Sequence, residues 1–187
     1  MDTFLISLLL VFALALGGRD QWLVAQLSDR LGRRVPLLLT GIACAALSAV
    51  VMAWAGSEIA TRLPRRAAQM LVAFALAIAA FELAWPAKFA APREPTRSLG
   101  AVTIVLAARQ VGDAARFAVF ALAAWASLPA TAALGGAIGG GAAIALGWSL
   151  GGESLAQAPL AIIRRVLAAG LVVAALFIGL NARYPAL

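Results

Sequence analysis

The strongest constraint on this chain is a succession of apolar runs, each close to the length of a bilayer crossing. They extend from Phe4 to Leu27, Val35 to Ala55, Ala67 to Ala84, Leu99 to Ala126, Ala130 to Leu150 and Ala161 to Leu180. A membrane-spanning helix needs about 20 mostly apolar residues. With 64% hydrophobic and 12% charged residues and a mean hydropathy of +0.97, the composition is far from that of a soluble domain, where about a quarter of residues are charged. The sequence therefore predicts an all-α integral membrane protein of six transmembrane helices, with the lipid bilayer as its first partner.

The breaks between runs carry the basic residues. Arg30, Arg33 and Arg34 follow the first run, and Pro36 opens the second as a first-turn proline. Arg62, Arg65 and Arg66 precede the third, Trp85-Pro86 ends it, and Arg164-Arg165 opens the sixth. These arginine pairs read as membrane-edge anchors, so the net charge of +7 implies headgroups and topology, with no nucleic acid. The polar stretch 87–98, with Lys88, Arg93 and Arg97, divides a first three-helix unit (1–86) from a second (99–187). With both termini outside, the inner segments hold eight basic residues and the outer ones four. This orientation is predicted, in a bacterial-type inner (plasma) membrane. No Lys or Arg precedes Arg19, so the first run reads as a retained helix and not as a signal peptide.

The two units repeat. Gly18 and Gly41 have counterparts 94 positions later at Gly112 and Gly135. Arg65, Arg66 and Pro86 have theirs 99 positions later at Arg164, Arg165 and Pro185, with the aromatic Trp85 matched by Tyr184. Three helices per unit is an odd number, so the units insert with opposite orientation. Inverted repeats of this kind are a transporter architecture with the site at broken helices near the midplane.

Two runs contain charges at bilayer depth. Ala15-Leu16-Gly17-Gly18-Arg19-Asp20-Gln21 interrupts the first and Arg109-Gln110-Val111-Gly112-Asp113-Ala114-Ala115-Arg116 the fourth. Intramembrane charges are costly and default to a functional reading. Asp113 and Asp20 are the expected ion-pathway residues and the candidate metal ligands, with Gln110 and Gln21 as neutral oxygen ligands. Arg19, Arg109 and Arg116 are the expected charge partners. Spacing allows Arg109–Asp113 and Asp113–Arg116 pairs on one helix face, and Arg19 is expected opposite Asp113, with Asp20 opposite Arg116 or Arg109. Gly17, Gly18 and Gly112 mark the helix breaks.

At these residues the chain resembles the manganese/calcium cation–proton exchangers of the lysine-exporter-like superfamily. That family has two inverted three-helix repeats, each with a Glu-x-Gly-Asp-(Lys/Arg)-(Thr/Ser)-Gln motif in its first helix. Gly112 and Asp113 fit the second motif, where Gln110, Ala114, Ala115 and Arg116 depart from it. In the first copy only Gly18 fits without a gap, and Asp20 and Gln21 fit if the helix unwinds by one residue. The resemblance implies a divalent-cation antiporter with a possible manganese or calcium substrate. The family's motif pair carries net −2. Counting Asp20 and Asp113 against Arg19, Arg109 and Arg116 gives +1 here, which predicts an altered substrate or, as the alternative, a transport-inactive structural or regulatory paralogue.

Other features read more plainly. Histidine is absent and Cys44 is the one cysteine, so an enzyme is not expected and no cofactor is implied. Gly135, Gly136, Gly139, Gly140 and Gly141 form a close-packing surface, against another helix of the same chain first and a second copy of the chain next.

Overall fold

The computed structural model describes residues 2–85 and 98–184. The linker expected at 87–98 lies outside them except for Ser98, as do Pro86 and Pro185. The described chain is all helical. Its order is α1 (Asp2–Ala15), α2 (Arg19–Leu31), α3 (Val35–Thr61), α4 (Arg65–Ala84), α5 (Leu99–Gln110), α6 (Ala114–Trp125), α7 (Pro129–Gln157) and α8 (Leu160–Arg183). Two short helices followed by two long ones thus occur twice.

Helices α3, α4, α7 and α8 are each long and apolar enough to cross a membrane, and α1 with α2 would make a fifth span, bent by 61°. Helices α5 and α6 are shorter apolar helices. This is compatible with an all-α membrane-embedded protein. The first and fourth apolar runs, each expected as one membrane segment containing a glycine break, are divided into two helices at those glycines.

The long helices also run past their expected ends. Gly56, Ser57 and Glu58 stay helical in α3, which continues to Thr61, and an exposed Arg62–Glu58 pair four residues apart supports this last turn. Gly151 and Gly152 do not end α7 but kink it. Gly151 sits at φ +80°, a conformation glycine adopts without a Cβ penalty. The Gly152 N–H freed by the kink donates to the Asp29 carboxylate at 2.7 Å.

Helices α3 and α7 pack on each other at the centre, α1 and α2 lie along α7, α6 lies along α3 and α4, and α4 pairs with α8. The glycines of α7 make this packing possible. A Cβ on Gly135 would stand 2.8 Å from the Ser7 Cβ, and one on Gly136 2.5 Å from a Val119 methyl. Ser7 Oγ also donates to the Ala132 carbonyl at 2.7 Å. The close-packing surface of α7 is used inside the chain, against α1 on one side and against α3 and α6 on the other. Trp54, Trp85 and Trp125 are exposed, as expected of aromatic residues at a membrane edge.

Candidate ion site at two helix breaks

The first break is residues 16–18 and the second residues 111–113, so equivalent positions lie 95 apart and not 94. Gly17 is the counterpart of Gly112, Gly18 of Asp113, and Gln21 of Arg116. The one-residue slip arises because α2 starts at Arg19 with Gly18 as N-cap, whereas α6 starts at Ala114 with Asp113 as N-cap.

The first break is held by several hydrogen bonds. Gly17, at φ +69°, donates its N–H to Gln21 Oε1 at 2.7 Å, and Gln21 Nε2 donates to the Ala143 carbonyl of α7 at 2.8 Å. Asp20 Oδ1 accepts the Gln21 N–H at 2.8 Å, in the first turn of α2, where the helix dipole favours an anion. The Gly17 carbonyl accepts from Arg164 Nη1 at 3.3 Å. Arg164 in turn forms a buried ion pair with Glu82, 3.2 Å from Nη2 to Oε2, and Arg19 Nε lies 3.8 Å from Glu82 Oε1. A cavity of about 330 Å³ adjoins this cluster, lined by Gly17, Trp22, Leu83, Trp85, Leu160 and Arg164 among others.

The second break leaves its polar groups open. Asp113 does not cap its own helix with its side chain. Asp113 Oδ2, Gln110 Oε1 and all three guanidinium nitrogens of Arg116 are buried without a hydrogen-bond partner. Gln110 Nε2 donates to Asp20 Oδ2 at 3.3 Å and so joins the two breaks. The Arg116 guanidinium lies against the bare backbone of Gly140, where an added Cβ would come within 3.1 Å of Nη1. The Asp113 N–H donates to the Gln110 carbonyl at 3.3 Å and the Arg116 N–H to the Asp113 carbonyl at 3.0 Å, so Asp20, Gln110, Asp113 and Arg116 form one connected cluster across the two breaks.

The pairings expected from spacing do not form. Asp113 makes no ion pair within 4.0 Å with Arg19, Arg109 or Arg116, and Asp20 makes none with Arg116 or Arg109. The break between Gln110 and Asp113 removes the continuous helical face on which a four-residue spacing brings side chains together. Arg109 Nη1 instead donates to the Arg19 carbonyl at 3.0 Å, and Arg19 turns to Glu82. Glu82 and Arg164 are site residues that the motifs did not point to. The available signal was that Glu82 is the one acid within the third apolar run.

These positions revise the charge of the site. Arg19 is exposed and Arg109 half-buried, so neither is enclosed. The buried charged residues, among those described, are Asp20, Glu82, Asp113, Arg116 and Arg164. Three carboxylates against two guanidiniums leave one negative charge, the opposite sign to the count taken from the motifs alone. Asp20 and Asp113 do not gather a third His, Cys, Asp or Glu into a metal-holding group among the described residues. The available oxygens are two carboxylates and the Gln110 amide. Comparisons with protein-family models, curated proteins and solved structures find no match to the chain.

Proposed function

We propose that the protein is a membrane transporter for a small cation, held between the two helix breaks by Asp20, Gln110 and Asp113. The observation that carries this reading is the pair of buried, unpartnered acceptors, Asp113 Oδ2 and Gln110 Oε1, within one cluster with Asp20. A buried acceptor without a donor costs free energy, and a bound cation would offset it.

The architecture in this reading is two inverted repeats of three transmembrane segments, with α1–α2 and α5–α6 as broken spans. The repeated order of short and long helices supports it, as does the location of the buried charges at both breaks. The 95-residue register also improves the likeness to the cation–proton exchangers. Read as Ala15-Leu16-Gly17-Gly18-Arg19-Asp20-Gln21, the first motif matches at Gly17, Arg19 and Gln21. Positive residues favour the cytoplasm for the side bearing Arg33, Arg34, Arg164 and Arg165. The cavity beside Gly17 and Arg164, at the end where α4 finishes and α8 begins, would then be the cytoplasmic approach.

Purified protein in liposomes, assayed with ion-reporting dyes for manganese, calcium, sodium, potassium, proton and anion flux, tests this. Flux of a cation that is lost in Asp113→Asn is the expected result. A folded protein that moves none of these ions would instead support a structural or regulatory role, with the Glu82–Arg164 pair as a permanent lock between α4 and α8.

A further inference from the structure

We infer that the buried site is matched to a single positive charge, a monovalent metal cation, and that Arg116 sets this valence. The inference rests on the reading of Asp20, Gln110 and Asp113 as a cation site.

The Glu82–Arg164 pair is neutral as a unit and is bonded on both sides, to Gly17 and within itself. The remaining buried charges are Asp20, Asp113 and Arg116, which together carry one negative charge. In a medium of low dielectric an enclosed cluster is stable only when its charges nearly balance. One bound positive charge balances this cluster, and a divalent ion would leave it with net +1. The donors agree with the charge count. Divalent calcium takes six to eight oxygens with several carboxylates among them. Here two carboxylates and one amide oxygen are at hand, and Asp20 already accepts from Gln21 and Gln110.

Arg116 is the residue that removes the second charge. Its side chain is 1% exposed and its three nitrogens have no acceptor, so it is committed to no structural ion pair. A guanidinium keeps its charge at any accessible pH. It therefore acts as a fixed internal cation beside Asp113. Its counterpart at the first break is Gln21, a neutral side chain. Replacing Arg116 with glutamine makes the two breaks alike at this position and takes the cluster from one negative charge to two. Arg116 is on these grounds a specificity-determining residue, acting through charge and not through contact with the ion.

The test is a binding titration of the purified full chain in detergent. Thermal unfolding and tryptophan fluorescence are followed against sodium, potassium and lithium chloride at constant ionic strength set with choline chloride. Manganese and calcium chloride are titrated in parallel. The native chain is expected to bind one monovalent cation in preference to either divalent ion. Arg116→Gln should gain divalent affinity by about tenfold or more, the equivalent of about 1.4 kcal/mol, while Arg116→Lys keeps the monovalent preference. Arg116→Met is a second neutral variant with the same expected gain, should the glutamine variant fail to fold.

Divalent binding by the native chain as tight as that of any monovalent ion overturns the inference, as does a folded neutral variant with no divalent gain or a native chain that binds no monovalent cation. Monovalent binding without flux leaves the charge match standing and removes transport. Divalent flux by the native chain keeps transport and removes the charge match.

Discussion

The two helix breaks differ in how they are held. At Gly17 the carbonyl is bonded to Arg164 and the N–H to Gln21, and Arg164 is satisfied in turn by the buried carboxylate of Glu82. At Gly112 an added Cβ would meet nothing within 4 Å, and the buried charges beside it, Asp113 and Arg116, have open valences. The first break is held chiefly by hydrogen bonds within the chain, whereas the second carries buried charge whose cost a bound cation would offset in the proposed reading. The two breaks thus differ in how their polar groups are held, and substitutions should separate them.

The largest effect is expected at the first break. Glu82→Ala leaves Arg164 buried without its carboxylate, and breaking a buried pair from one side costs about 3–5 kcal/mol. Thermal unfolding of the purified protein should show the largest loss of this series, and stability near that of the native chain would mean that the pair is not enclosed.

The glycines provide a matched comparison. Gly17→Ala puts a Cβ 3.2 Å from the Leu160 Cβ at a residue with φ +69°, and such strain costs about 1–3 kcal/mol. Gly112→Ala meets no neighbour and has no positive φ, so its unfolding temperature should stay close to that of the native chain. Equal losses in the two variants would erase the distinction between the breaks.

Smaller again is Asp20→Asn. Asp20 keeps one acceptor oxygen for the Gln21 N–H or Gln110 Nε2, but a charge-assisted bond becomes a neutral one, a loss of about 1 kcal/mol. Urea or thermal unfolding at matched detergent concentration would register it.

Much of this was legible in the chain before the fold. The apolar runs locate every long helix, and glycine beside charge locates both breaks. Asp20, Gln21, Gln110, Asp113 and Arg116 were singled out together, and all are buried. The partnerships were not legible, for a physical reason. Spacing rules for side chains assume a continuous helix, and the glycines that mark the site are what interrupt it. Once α5 ends at Gln110, Arg109 and Asp113 belong to different helices and no longer face each other. The break register was hidden as well, because Gly17 and Gly18 are adjacent and either can be aligned with Gly112. Glu82 sits one turn from Trp85, where a charge reads as a membrane-edge residue. Only the packing of α4 against α8 brings it to Arg164.

The most direct measurement pairs flux and stability in Asp113→Asn. Because Asp113 Oδ2 has no partner, neutralising this carboxylate should leave the unfolding temperature unchanged or slightly raised while cation flux into liposomes is abolished. Flux at the native rate, or an unfolding temperature that falls as far as in Glu82→Ala, would contradict the assignment of Asp113 to the ion site.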